Sequence, residues 1–218
     1  MEHRLFERAQ GLSDLWPGSG AHILHVYLDE AERRQALVAF FAAGFARGGR
    51  ICCVHNQPIE EALADPRIGE ALKDRGLSGA PAPSRPGGAP ADPGRIQAWP
   101  SRDWYLASGV FDHARTYHKW QDFCRQSKCL GYPGVWIFGE LLPDLGRVAD
   151  GRVLVTYEMN YEAMVRNNPP TCTVCQYDAR AFKGDVLWGV LKAHPLVLVG
   201  ARVCPNPWFE PSIRVKSH

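Results

Sequence analysis

The chain has 218 residues, 45% of them hydrophobic and 22% charged, proportions that exclude wholesale disorder and a membrane-embedded class. Lys and Arg total 25 against 23 Asp and Glu, and a net charge of +2 is too balanced for an electrostatic binder of nucleic acid or anionic membrane. The length suits one domain with a sizeable core and leaves no room for an output module of its own.

The opening MEHRLFERAQGLSDLWPG has no apolar stretch before a small-residue cleavage site, so no secretory signal is expected and the setting reads as cytoplasmic. His22 to Leu28 is apolar and β-prone. A helix should follow, with Asp29 as N-cap, Glu30 and Glu32 in the first turn, and Leu37, Phe40, Phe41 and Phe45 at helical spacing up to Gly48-Gly49. Arg50 to Val54 reads as a buried strand, and Pro58 opens a helix through about Lys73. Gly76 to Gly94 is crowded with Pro, Gly, Ala and Ser and reads as a mobile surface loop.

Beyond the loop, Arg95 to Trp99 is a short strand, Asp112 to Ser127 a helix and Gly134 to Phe138 an apolar strand ending at Gly139-Glu140. Arg152 to Arg166 is helical, Thr171 to Tyr177 a strand and Phe182 to Ala193 a helix. Leu196 to Val203 is one strand or a tight hairpin around Gly200. The alternation predicts an α/β three-layer sandwich with a mostly parallel sheet, residues 21–211 forming one domain between an N-terminal extension (1–20) and a tail (212–218). In such sheets ligands bind beyond the carboxyl ends of the strands. Those ends are Tyr27 to Asp29, His55-Asn56, Gly139-Glu140 and Tyr177-Asp178.

The series HILHVYLDEAERRQALVAFFAAGFARGGRICCV, GVWIFGELL, YEAMVRNNPPTCTVCQYDARAF and KAHPLVLVGARVCPNPWFEP resembles the MEDS sensory domain of methanogens, methylotrophs and the dichloromethane-response regulator. The resemblance runs from about His22 to Pro211 and places His22, His25, Tyr27 and Cys175 on family positions. It implies a cytoplasmic prokaryotic sensory module with a RecA/KaiC-like core that binds a small, largely apolar molecule. With no output segment, such a module would signal in trans to a separate regulator or histidine kinase, and RecA-like sheets also associate into homo-oligomers. Where a RecA-like ATPase carries its phosphate loop, this chain has Leu28-Asp29-Glu30-Ala31-Glu32, whose carboxylates would repel a triphosphate.

The expected ligand site comprises His25, Tyr27, His55, Glu140, Cys175, Tyr177 and Asp178, with no catalytic group and no cofactor. Glu140 would act as a ligand contact or structural acceptor, and His194, before Pro195, as a core imidazole bonded to backbone. Trp99, Trp104, Tyr105, Trp120, Trp136, Tyr177 and Trp208 are candidates to wall an apolar cavity or to fill the core. The Gly76–Gly94 loop and the Trp99–Asp112 region are the candidates to move on binding.

The rival readings are a metal- or redox-cofactor-binding protein on the same scaffold and a non-catalytic interaction subunit. Cys124, Cys129, Cys172 and Cys175 would supply thiolates for zinc or an iron-sulfur cluster. Against it, Cys172 and Cys175 stand three apart in a strand and should face oppositely, as should His22 and His25. The odd count of seven cysteines argues for reduced thiols.

Overall fold

The computed structural model describes residues 10–15, 20–73, 94–145, 151–167 and 170–211. The tail and nearly all of the Gly76–Gly94 loop lie outside the described residues. The strands are β1 (Gln10–Gly11), β2 (Ala21–Tyr27), β3 (Arg50–His55), β4 (Ile96–Pro100), β5 (Val135–Glu140), β6 (Thr171–Asp178), β7 (Leu196–Val199) and β8 (Arg202–Pro205). The helices are α1 (Glu30–Ala46), α2 (Glu60–Leu63), α3 (Pro66–Lys73), α4 (Ser101–Tyr105), α5 (His113–Cys129), α6 (Gly151–Asn167) and α7 (Gly184–Ala193).

One mixed sheet runs in the order β1-β8-β7-β2-β6-β5-β3-β4. Strands β7 through β4 in that order are parallel, and β8 is antiparallel to β7 and β1. Side-chain alternation sends Ile23, Ile51, Trp136, Phe138 and Val174 to one face, against Leu37, Phe40, Phe41 and Phe45 of α1. It sends Leu24, Cys52, Ile137, Cys175 and Tyr177 to the other face, against Trp120 of α5, Tyr157 and Tyr161 of α6 and Val190 of α7. Buried on both faces, the central strands read as continuous apolar runs, the expected signature of parallel pairing.

Local signals set the element ends. The Asp29 carboxylate accepts the Glu32 amide at 2.9 Å at the start of α1, and Asp112 accepts that of Arg115 at 3.0 Å at the start of α5. The helix expected from Pro58 to Lys73 is instead two, broken where Pro66 cannot continue the hydrogen-bond ladder and the Asp65 carboxylate takes the Arg67 amide. Between the two readings of Leu196 to Val203 the hairpin holds, with Gly200 at φ 59° in the turn. Two elements are additional: α4, and the edge strand β1, which draws part of the expected N-terminal extension into the sheet with Leu12 buried beside it. No helix among the described residues is long and apolar enough to cross a membrane.

Candidate functional site

Parallel register brings the carboxyl ends of five strands to one edge. Tyr27 pairs with Asp178, Glu140 with Gln176, and His55 with Pro100. A cleft of about 390 Å³ opens there, lined by Tyr27, His55, Asn56, Ser101, Arg102, Glu140, Leu142, Pro143, Asp178 and Arg180 among others.

Glu140 is the centre of its floor. Its side chain lies on the α1 face, 1% exposed, and accepts four hydrogen bonds: Arg33 Nε at 2.8 Å, Arg33 Nη2 at 3.1 Å, the Tyr27 hydroxyl at 3.1 Å and the Asn56 amide at 2.8 Å. The Ser101 hydroxyl donates to the Glu140 carbonyl at 2.7 Å. Burial opposes the charge on Arg33, but the Glu140 and Glu30 carboxylates outweigh it and raise the guanidinium pKa. Burial likewise raises the Tyr27 phenol, assisted by Glu140. At the rim, Arg180 forks onto Asp178 and holds that carboxyl below its usual range. Among the residues lining the cleft, Asn56 keeps a buried acceptor unspent. Asn56 Nδ2 donates to the Leu141 carbonyl, while Asn56 Oδ1 has no hydrogen-bond partner among the described residues.

The seven expected site residues therefore divide. Tyr27, His55, Glu140 and Asp178 line the cleft. His25 lies behind it, its Nδ1 accepting from Gln176 Nε2 at 2.8 Å. Cys175 and Tyr177 project to the opposite face and do not reach the cleft. The expected aromatic wall is not one surface either: Trp136 packs against α1, Trp104 and Trp120 stack on the far face, and Trp208 is exposed. In the Trp99–Asp112 region, Trp104 and Tyr105 are core. The cysteine quartet is not assembled: Cys172 and Cys175 face opposite sides of the sheet, and Cys129 is exposed. Arg33 went unnoticed in the sequence, although it falls on the buried stripe with Leu37, Phe40 and Phe41. A cation on an apolar stripe is itself a sign of a buried acid.

Two substitutions probe this edge. A methyl group on Gly139 would sit 2.9 Å from the buried Tyr105 hydroxyl, so the small residue before Glu140 is required by the opposing ring. Gly139→Ala is expected to lose about 1–3 kcal/mol in urea unfolding, with Tyr105→Phe restoring much of it. Burial holds the His25 imidazole neutral, with its pKa lowered to about 4 and Glu32 opposing weakly. The folded pKa lies below the unfolded one, so stability is full above about pH 6.5 and falls as the pH drops toward 4. The loss should reach roughly 2 kcal/mol by pH 5. His25→Asn, which keeps an acceptor for Gln176, should flatten that part of the stability–pH curve.

A second network lies on the far face. His22, Glu158, Cys175 and His194 are all buried, and one ligand atom from each falls within 4.8 Å of the others. Tyr177 donates to Glu158 Oε1, and Tyr161 lies within hydrogen-bond distance of Thr173. His194 Nδ1 donates to the Val190 carbonyl at 2.6 Å.

A family model described as MEDS, the MEthanogen/methylotroph, DcmR Sensory domain, matches residues 21–195. No curated protein matches the chain.

Proposed function

Because the chain belongs to the MEDS sensory-domain family, we propose that it senses a small molecule in the cleft around Glu140 and passes its state to a separate regulator or histidine kinase in the cytoplasm. The observation that carries this reading is the Asn56 Oδ1 acceptor, buried at the cleft and unpartnered, beside a carboxylate whose own hydrogen bonds are already supplied by the protein. A buried acceptor left unmatched costs free energy that a donor group on a ligand recovers.

The lining also refines the ligand class. Leu142, Pro100 and Pro143 offer only a small apolar wall, and the remaining lining is polar or charged. A short hydrocarbon body carrying a hydroxyl or amine fits better than a bare hydrocarbon or halocarbon. We extend the reading to a three-layer RecA/KaiC-like core without a phosphate loop, supported by the run of parallel strands packed on both faces and by the acidic entry to α1.

A thermal-shift screen of matched short alkanes, chloroalkanes, alcohols and amines tests the class. Alcohols or amines should raise the melting temperature with a dependence on the logarithm of concentration, and the parent alkanes should not. Stabilisation by alkanes alone would contradict the polar cleft as the binding site. No stabilisation by any member, with a co-purifying protein instead, would favour a pure interaction subunit.

A further inference from the structure

The far-face network has a geometry that hydrogen bonding alone does not explain. His194 Nδ1 donates to a carbonyl, which can only accept, so the neutral ring presents Nε2 as a bare lone pair. Among the described residues that lone pair has no hydrogen-bond donor, and it lies 3.6 Å from Glu158 Oε2, another acceptor. His22 Nε2 lies 3.3 Å from the same oxygen and 3.4 Å from Cys175 Sγ, and Cys175 Sγ lies 3.6 Å from Glu158 Oε2. Four donor atoms of metal-ligating type thus face a common centre, from β2, α6, β6 and the turn after α7.

We propose that His22 Nε2, Glu158 Oε2, Cys175 Sγ and His194 Nε2 form a closed tetrahedral site for a borderline divalent metal of the zinc class. A tetrahedron with metal–ligand bonds of about 2.0–2.3 Å has edges of roughly 3.3–3.8 Å, and the four separations above all fall in that range. Two imidazoles, one carboxylate and one thiolate suit zinc rather than calcium or magnesium. The charges also close: a thiolate and a carboxylate neutralise a divalent ion in a pocket whose members are 0–5% exposed. On binding, the Cys175 thiol loses its proton to solvent and no redox change occurs.

The surrounding groups are those that orient metal ligands. His194 is fixed through Nδ1 by the Val190 carbonyl, and Glu158 Oε1 by the Tyr177 hydroxyl. His22 Nδ1 lies 3.2 Å from Glu162 Oε2, a carboxylate itself paired with Arg166. His22 Nδ1 makes no aligned hydrogen bond among the described residues, but a small rotation of either side chain onto the other would complete the carboxylate–histidine–metal arrangement, with Glu162 as a positioning residue. A protonated His22 is the competing filler of the pocket. It would satisfy Glu158 and Glu162 but leave the His194 lone pair facing an oxygen.

Elemental analysis of the purified full chain, followed by cobalt(II) titration of metal-stripped protein, separates the two. The site predicts close to one zinc per chain and, with cobalt, intense tetrahedral bands plus a thiolate charge-transfer band lost in Cys175→Ser. Glu162→Gln, which removes no ligand, should weaken metal affinity about 10–100-fold while the bands persist at saturation. A folded wild-type chain with neither stoichiometric metal nor a cobalt–thiolate band would overturn the proposal, as would a band that survives Cys175→Ser. If Cys175→Ser does not fold, the wild-type spectrum and the Glu162→Gln affinity decide, and an unchanged affinity counts against the site. These readouts are independent of any ligand in the Glu140 cleft.

Discussion

Glu140→Ala is expected to cost about 3–5 kcal/mol of unfolding free energy, because it leaves the Arg33 guanidinium buried without its main counter-charge. The Tyr27 hydroxyl and the Asn56 amide lose an acceptor in the same step. Against a typical total of about 5–15 kcal/mol, that loss is a large fraction of the stability of a domain at the low end of the range. Glu140→Gln keeps an acceptor but not the charge and should lie between wild type and Ala. Replacing Arg33 and Glu140 together by Met removes the buried charges and should recover a large part of the loss. Urea unfolding at constant m-value reads all three, and a deficit below about 1 kcal/mol for Glu140→Ala would mean that solvent reaches Arg33.

Trp136→Ala should be comparably severe, about 3–5 kcal/mol, for a different reason. The indole is fully buried on the α1 face of β5, edge-on to Phe40 with centroids 5.4 Å apart, and its Nε1 makes no hydrogen bond among the described residues. The cost is therefore packing, and Trp136→Phe should recover much of it. The ring also presses on the turn after α1: a Cβ on Gly49 would sit 2.3 Å from Trp136 Cδ1. Gly49→Ala is thus expected to destabilise by overpacking, and Trp136→Phe to relieve it. Because Trp136 anchors the strand that ends in Glu140, these variants should also weaken ligand binding without touching the cleft.

The strands and most helices were legible because burial on both faces leaves apolar runs, and because Asp29 and Asp112 mark helix starts with side chains that the backbone uses as caps. The carboxyl edge as the candidate site followed from parallel order, and Tyr27, His55, Glu140 and Asp178 line a cleft there. Residue facing was legible only where strand parity was applied. Parity separates Cys172 from Cys175 and His22 from His25, as the two packed faces require. The same rule applied to Cys175 and Tyr177 against Glu140 needs the β5–β6 register, which sequence does not supply. The far-face cluster depends on residues more than a hundred positions apart, such as His22 and Cys175. Glu158 carried one usable signal, an acid within the buried stripe of Leu154, Tyr161 and Val165. The short helix α4 and the two-residue strand β1 lacked the length for a periodic pattern.

In the function proposed above, the Glu140 cleft receives a small donor-bearing ligand through Asn56. Isothermal titration of the best-stabilising alcohol or amine into wild type, Asn56→Leu and the remote surface variant Lys128→Ala tests it most directly. Saturable one-site binding is expected for wild type and Lys128→Ala, weakened about 10-fold in Asn56→Leu by the loss of one hydrogen bond. Equal affinity in all three proteins would contradict it.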